Sequence, residues 1–335
     1  MFKLADYKKI VYIISYRGGN IKKLLYGFLV LVVVGYFGVG YYIYDVAATV
    51  PCAVWEGEQA NTPSNFSDWD EYDVDVSQYF IPNYETISID STDEVILSAW
   101  WMENDPQAKT VVIIHGLTSS KYSSGVLLAS GILYKNGFNV LAMDMRDHGD
   151  STCEDGYYSA GQKESDDSAA VVDWLVEEKN ISASNIGIYG QSLGALTTLQ
   201  TGAKTQNFAA IAVHDPPVSF ETLVREEMEY QGFPPIVYTP VNHYARIFKG
   251  ENLTEVTPEV AIAGGNKQPI LVFNGMLDKR VLAHHTDDLI KIANDNGVEI
   301  TTYRYDDMGH VESLWGYNDE FSTAIVDFFN KNLSS

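Results

Sequence analysis

An uninterrupted apolar segment near the N-terminus is the strongest pattern along the chain. Residues 24–44 read LLYGFLVLVVVGYFGVGYYIY and contain no charged side chain. A helix of this length spans about 30 Å, which is the thickness of the hydrocarbon core of a bilayer. Four tyrosines lie in its C-terminal half, where membrane helices carry an aromatic belt. We therefore predict a transmembrane helix over 24–44.

Two other structures could produce such a segment. A helix buried in a soluble core rarely runs this long without a polar face. A cleavable signal peptide has an apolar region of ~7–15 residues, and the segment in this chain is longer. We predict an uncleaved anchor, with the signal peptide as the alternative.

Short apolar runs alternate with longer mixed stretches from residue 80 onward. The apolar runs predict strands at 84–90, 95–102, 110–115, 139–144, 186–189, 209–213, 270–274 and 300–305. The stretches between them predict helices near 122–135, 163–178, 193–203, 283–296 and 318–331. Strands that alternate with helices in this way predict an α/β domain over 80–333, with a mostly parallel central sheet and helices on both faces.

Two segments depart from this alternation. Residues 45–79 contain prolines and an acidic run, and we predict a juxtamembrane linker there. Residues 214–262 lack an obvious strand and hold six aromatic side chains. An insertion at the carboxyl edge of such a sheet can form a lid over the active site. The alternative is a helical excursion that packs its aromatic residues on itself.

The charges on either side of the apolar segment predict its orientation. Residues 1–23 have a net charge of +5, whereas no basic residue follows the segment until Lys109. Because basic flanks stay in the cytoplasm, we expect the N-terminus inside and everything after Asp45 outside. The whole chain has a net charge of −23, which argues against a nucleic-acid partner.

A candidate nucleophile follows the predicted strand that ends near residue 189. Residues 190–194 read GQSLG, which is the G-x-S-x-G pattern in the strand–turn–helix context that gives it meaning. The two glycines permit a sharp turn, and the turn exposes the hydroxyl of Ser192. We predict that Ser192 is a catalytic nucleophile.

A serine hydroxyl needs a base, and the base needs an orienting acid. Of the seven histidines, His310 stands just after the last predicted strand, and Asp278 follows the strand before it. The chain order Ser192, Asp278, His310 fits such a triad. Asp215, at the end of another predicted strand, is the alternative acid.

An acyl-transfer site also needs N–H donors for the developing oxyanion. The backbone N–H groups of Leu117, after the strand TVVII, and of Leu193, next to the nucleophile, are the predicted donors. We expect His115 to brace its loop, and His284 and His285 to be solvated or packed residues on a helix.

With these residues the chain resembles the α/β-hydrolase superfamily over about residues 80–333. The segments that carry the resemblance are HGLTSSK at 115–121, DMRDHGDS at 144–151, GQSLG at 190–194, GMLD at 275–278 and GH at 309–310. The chain looks most like the serine-aminopeptidase and monoacylglycerol-lipase branch, in particular its membrane-anchored bacterial members. The resemblance implies a Ser-His-Asp hydrolase, with DMRDHGDS shaping the floor of the site.

The sequence therefore predicts a serine hydrolase, anchored in the bilayer, that cleaves carboxylic esters through an acyl-enzyme. We expect its substrates to be small molecules with an apolar acyl group. This chemistry uses no metal and no organic cofactor. An aminopeptidase with the same triad is the alternative, because acids of the lid could hold a free amine; they are Glu221, Glu226, Glu227 and Glu229. A catalytically silent binding module is the second alternative.

The two cysteines, Cys52 and Cys153, leave one further question. Outside the cytoplasm they could form a disulfide, but the sequence does not show that they meet in space. We expect two separate thiols, with a disulfide as the alternative.

Overall fold

The computed structural model describes residues 4–265 and 267–334. Within these residues the strands form one sheet of eight, in the order β1-β2-β4-β3-β5-β6-β7-β8. The strands are β1 (Glu85–Asp90), β2 (Ile96–Met102), β3 (Thr110–Ile114), β4 (Asn139–Met143), β5 (Ile186–Gln191), β6 (Ala210–His214), β7 (Ile270–Gly275) and β8 (Ile300–Tyr305). Strand β2 is antiparallel to both of its neighbours, and the pairs from β4 to β8 are parallel.

Helices lie before, between and after the strands, and several of them cover the two faces of the sheet. They are α1 (Leu4–Ala48), α2 (Ser124–Lys135), α3 (Glu164–Glu177), α4 (Leu193–Thr201), α5 (Phe220–Tyr230), α6 (Tyr238–Tyr244), α7 (Pro258–Ala263), α8 (His284–Asp295), α9 (Ser313–Gly316) and α10 (Asn318–Asn332). Short 3-10 and π-helical turns lie between some of them. The α/β-hydrolase fold predicted from the sequence is confirmed.

Alternate residues of the central strands divide the core into two layers. In β3, Val111 and Ile113 face the layer that contains α2 and α10, while Val112 and Ile114 face the layer that contains α3, α4 and α8. All four side chains are fully buried, as expected for a parallel strand that is covered on both sides. This packing fixes the strands, and with them the loops at their carboxyl ends.

Helix α1 is longer than the predicted transmembrane segment. The sequence predicts a helix over 24–44, whereas α1 runs from Leu4 to Ala48. It continues because 45–48 contains no helix breaker, and it ends ahead of Pro51, which disfavours helical backbone in the residue before it. Within the part from Ile21 to Ala48 an 18-residue stretch has a mean hydropathy of 2.0, so by length and composition this part can cross a bilayer.

The segment after α1 is folded onto the domain and is not a free tether. Within the predicted linker, Phe66 and Val76 are buried in the core layer that contains α2. Just beyond it, the Ile81 N–H donates to the carbonyl of Pro63 at 2.7 Å. These contacts pack parts of residues 49–79 against the hydrolase domain.

A disulfide joins this segment to the loop after β4. Cys52 is bonded to Cys153, so the expectation of two separate thiols is wrong. The cysteines are 101 positions apart in sequence, but the Val50 N–H donates to the Gly156 carbonyl at 2.9 Å and brings the two segments side by side. The pairing depends on this tertiary contact, which leaves no pattern in the sequence.

The insertion over 214–262 is largely helical and contains α5, α6 and α7. The ring of Tyr244 packs on Phe248 and on Tyr44 of α1, with ring centroids 5.2 and 5.6 Å apart. Its aromatic side chains therefore pack partly among themselves, as the second interpretation of the sequence predicts. They also pack on α1, which the sequence did not indicate.

We expect the disulfide to stabilise the folded protein by about 2–5 kcal/mol, because it closes a long loop in the unfolded chain. The measurement is chemical unfolding of the full-length protein in detergent, with and without a reductant. A Cys52→Ser/Cys153→Ser variant is the control, and it should match the reduced protein and no longer respond to reductant. An unfolding midpoint that reductant leaves unchanged in the original protein would contradict this contribution.

Candidate active site

Ser192 lies in the tight turn between β5 and α4. Its backbone has φ 55° and ψ −125°, a conformation that is strained for a residue with a side chain. The flanking glycines permit the turn: a Cβ at Gly190 would collide with the carbonyl of Gly194, and a Cβ at Gly194 would collide with the carbonyl of His115. The two glycines are therefore required by packing, and the turn presents the serine at the carboxyl edge of the sheet.

The structure brings His310 and Asp278 to Ser192 at this edge. His310 Nε2 lies 2.8 Å from Ser192 Oγ, and its Nδ1 lies 2.6 Å from Asp278 Oδ2. Asp278 is buried, and its other oxygen accepts the backbone N–H groups of Arg280 and Val281. Because this carboxylate is an acceptor, Nδ1 carries the ring proton and Nε2 can accept the serine hydroxyl.

Asp215, the alternative acid, lies close to the histidine but is engaged elsewhere. Its Oδ1 accepts the side-chain amide of Asn274 and the backbone N–H of Gly275, both at 2.9 Å. Its Oδ2 accepts the backbone N–H of Val311 at 2.7 Å. Burial raises the pKa of Asp215 to about 6. Since Val311 directly follows His310, Asp215 fixes the loop that carries the histidine.

The loop after β3 passes close to the serine. A Cβ at Gly116 would lie 3.2 Å from the Ser192 Cβ. The N–H of Leu193, at the first position of α4, has no partner within its helix, and the N–H of Leu117 has none among the described residues. Both leucines line the cavity beside the serine, so both N–H groups are available near the position of an oxyanion.

His115 holds this loop in place. Its ring is fully buried, with Nδ1 2.7 Å from the Gly116 carbonyl oxygen, and its Nε2 accepts the backbone N–H of Met145 at 3.1 Å. Burial lowers the pKa of His115 well below its ordinary value. A neutral ring with both nitrogens engaged connects the loops after β3 and β4, and it is not free to take a proton from the serine.

A cavity of about 1150 Å³ opens in front of Ser192. One part of its wall comes from α5 and consists of Phe220, Leu223, Val224 and Met228. Another part comes from the C-terminal end of α1 and consists of Tyr42, Ile43, Val46 and Ala47. Part of the insertion over 214–262 therefore lines the cavity in front of Ser192, and the C-terminal end of α1 lines it as well.

Polar groups border the cavity as well. Of the four lid acids, Glu227 lines it, whereas Glu221 pairs with Arg225 at 2.6 Å and Glu229 is exposed. A second acid comes from the segment after α1: Glu58 also lines the cavity, and burial raises its pKa. Asp68, Asp70 and Glu71 of the same segment line the cavity too, so five acidic residues border the space available to a substrate.

Glu226, the fourth lid acid, attaches α5 to α8. Its oxygens lie 2.5 Å from His284 Nε2 and 3.1 Å from His285 Nε2. By spacing the three side chains could hold a metal ion. However, the Val218 N–H points to His285 Nδ1 at 3.4 Å, so the ring proton lies on Nε2 and is donated to Glu226. The cluster is a hydrogen-bonded contact between two helices, and it is separate from the hydrogen bonds that join Ser192, His310 and Asp278.

The segment at 144–151 contributes buried ion pairs. Asp144 pairs with Lys121, and both side chains are fully buried. Arg146 pairs with Asp167 of α3 at 2.7 Å, and both of these side chains are fully buried too. Breaking such pairs costs stability because a lone charge would remain in the interior. They tie the loops after β3 and β4 to each other and to α3.

Sequence reasoning missed two contributions to the site. The role of Asp215 in fixing the histidine loop had a signal, because its position after β6 places it at the carboxyl edge. The contribution of α1 and of Glu58 to the cavity left no signal in the sequence, because it depends on how distant segments pack.

The arrangement of Ser192, His310 and Asp278 is suited to acyl transfer. The model of the prolyl oligopeptidase family matches residues 128–335, which is more than half of the chain. Two similar curated proteins are YqkD of Bacillus subtilis, 29% identical over 188 residues, and bem46 of Schizosaccharomyces pombe, 24% identical over 173 residues. The matches cover 54% and 51% of this chain. The chain spans little more than half the length of these relatives, 58% and 56%.

Solved structures share the fold. The Pyrococcus furiosus esterase Pf2001 is 24% identical, with a TM-score of 0.62 over 82% of this chain and 100% of that chain. The Pyrococcus horikoshii acylaminoacyl peptidase is 17% identical, with a TM-score of 0.56 over 75% of this chain and 41% of that chain. The family match shows that the chain belongs to the prolyl oligopeptidase family, and the structure has the α/β-hydrolase fold.

Proposed function

We propose that this protein is a membrane-anchored serine hydrolase that cleaves carboxylic esters of apolar acyl groups. Ser192 is the nucleophile, His310 the general base and acid, and Asp278 the orienting acid. The observation that carries the proposal is the unbroken chain of hydrogen bonds from Asp278 Oδ2 through His310 to Ser192 Oγ, which ends at the cavity. Such a chain supplies the base that a serine hydroxyl needs.

The reaction proceeds in two halves. Ser192 Oγ attacks the carbonyl carbon of the ester while His310 Nε2 takes its proton, and Asp278 stabilises the imidazolium. The N–H groups of Leu117 and Leu193 donate to the oxyanion. The tetrahedral intermediate then expels the alcohol, which receives the proton from His310, and the acyl group remains on the serine. Water attacks this acyl-enzyme with His310 as base, and the carboxylic acid leaves.

The walls of the cavity favour an apolar acyl group. Side chains of α5 and α1 provide hydrophobic surface close to the serine, among them Leu223, Met228 and Ile43. The alternative is an aminoacyl or peptide substrate, and the carboxyl groups of Glu58 and Glu227 in the same cavity favour it, because they could bind a free amine. We favour an ester over an aminoacyl substrate because the helices that enclose the serine, α1 and α5, present apolar side chains to the cavity.

The anchoring is proposed from α1 and its flanks. Helix α1 is long and apolar enough to span a bilayer, and the basic residues precede its apolar part. By the positive-inside rule the N-terminus is cytoplasmic and the catalytic domain is outside. The Cys52–Cys153 disulfide supports this orientation, since disulfides persist in oxidising compartments.

Replacing the nucleophile tests the central role. In Ser192→Ala we expect the kcat for p-nitrophenyl acetate to fall at least ~10⁴-fold, because the acyl-enzyme can no longer form. Ser182→Ala, the same change on the exposed surface before β5, is the matched control and should keep full activity. Turnover by Ser192→Ala within about tenfold of the original protein would contradict the assignment. No turnover by the original protein on any ester or amide substrate would favour a binding module.

The acyl-length dependence tests the substrate class. For p-nitrophenyl esters from acetyl to hexanoyl we expect kcat/KM to rise about threefold per methylene, as burial of each CH₂ contributes about 0.8 kcal/mol at most. A flat or falling series would contradict an apolar acyl cavity. A preference for aminoacyl naphthylamides that Glu227→Gln lowers at least about tenfold would favour the aminopeptidase alternative.

Asp215→Asn tests how the histidine is held in place. The aspartate accepts three N–H groups through its two oxygens, so either orientation of an asparagine amide turns an NH₂ group toward a donor. We expect kcat to fall about 10–100-fold with little change in KM, because a small displacement of the histidine weakens the relay. Asp173→Asn, on α3, is the control. An unchanged kcat would contradict the positioning role of Asp215.

A further inference from the structure

The junction between α1 and the hydrolase domain is rigid. Tyr44 is buried, and its hydroxyl donates to Glu251 Oε2 at 2.8 Å. The Tyr157 hydroxyl donates to Asp45 Oδ1 at 2.9 Å. Four residues beyond the end of α1, the disulfide fixes Cys52 to the domain. If α1 spans the bilayer, as the proposed function holds, the domain therefore keeps one orientation toward the membrane.

The lid lies alongside the part of α1 that would be inside the membrane. The Tyr36 hydroxyl is 2.6 Å from His243 Nδ1, and the Phe37 ring packs on Phe248 with centroids 5.3 Å apart. A Cβ at Gly40 would collide with the lid backbone. These contacts begin thirteen residues after Lys23, or about 20 Å along the helix. In a hydrocarbon core of about 30 Å, they lie roughly 10 Å inside its outer boundary.

The lid tip, which we define as residues 230–249, exposes large apolar side chains. Ile236 is 69% exposed, Ile247 64% and Phe248 59%. Tyr230 and Phe233 are exposed as well. A cluster of exposed apolar side chains is unfavourable in water and typical of a membrane or partner surface. The contact with α1 favours the membrane, because the tip continues the lipid-facing surface of that helix.

The cavity reaches the same surface. Phe233 of the lid tip is exposed and also lines the cavity, and Tyr42 and Val46 of α1 are exposed cavity residues too. The space in front of Ser192 is therefore bordered by side chains that would meet lipid. An acyl chain could pass from the leaflet to the serine without crossing water.

We propose that the lid tip is seated in the outer leaflet of the bilayer that α1 spans, and that the cavity takes its substrate from there. The substrate class is then an ester-linked lipid of that leaflet, whose acyl chain enters between α1 and α5. The proposal rests on the anchoring and esterase activity proposed above. It adds the surface of the domain that contacts the membrane and the path by which the substrate reaches Ser192.

Site-directed fluorescence tests the seating directly. The full-length protein carries Ile247→Cys, labelled with an environment-sensitive fluorophore and reconstituted in phosphatidylcholine vesicles. The native cysteines are joined in a disulfide, so they do not react. Gln107→Cys, in the exposed loop before β3 at the opposite edge of the sheet, is the control. We expect a blue-shifted emission at position 247, quenched by lipids with a nitroxide on the acyl chain, and neither effect at position 107.

Activity provides a second, independent readout. In Ile236→Glu/Ile247→Glu we expect at least about tenfold slower hydrolysis of a diacylglycerol in vesicles, because carboxylates resist burial in hydrocarbon. Hydrolysis of the soluble ester p-nitrophenyl acetate should stay unchanged. Gln107→Glu should alter neither rate.

The outcomes separate this proposal from the proposed function. A fluorophore at 247 that is as accessible to water as the one at 107 overturns the seating, and leaves a protein partner as the occupant of the lid tip. Equal losses on the vesicle and soluble esters also overturn it, because the substitutions then act on the catalytic site. Absence of p-nitrophenyl acetate hydrolysis in the original protein contradicts the esterase activity, while the fluorescence still decides the seating.

Discussion

The close approach of the turn at Ser192 to the end of β3 is the constraint on which the site depends. The strained φ of 55° at Ser192 persists because glycines at 190 and 194 let the backbones touch, and because two-sided burial holds the strands in place. That approach exposes the serine hydroxyl and starts α4 beside it. It also leaves the first N–H of α4 unpaired at the position where negative charge would develop. A larger side chain at either glycine would displace all three features together.

The histidine reaches this turn through a second set of contacts. Asp278 orients the ring of His310, and Asp215 holds the backbone after it. Asp278 therefore orients the histidine ring and Asp215 positions its loop, whereas the sequence analysis considered them as alternatives for one role. On the other side of the serine, Leu193 packs in the same core cluster as Ile43 and Tyr44 of α1. The apolar N-terminal helix is thus part of the structure that supports the site.

The sequence predicted the strands closely because strands buried on both faces are continuous apolar runs, as in β3 and β7. It also predicted that Ser192, Asp278 and His310 lie close together, because they follow the parallel strands β5, β7 and β8, whose carboxyl ends share one edge of the sheet. The disulfide, the contact of Glu226 with two histidines and the packing of the lid on α1 could not be predicted. Each depends on contacts between residues far apart in the chain. A glutamate such as Glu226, which binds a neighbouring helix, has the same local sequence pattern as a glutamate that faces water.

The central claim is that Ser192 forms a covalent intermediate with His310 as its base. Peptide mass spectrometry of the full-length protein after reaction with a fluorophosphonate tests it most directly. We predict one phosphonyl adduct per chain, on the peptide that contains Ser192, and no adduct when His310 is replaced by alanine. A stoichiometric adduct on another residue, or labelling of Ser192 that does not depend on His310, would contradict the account.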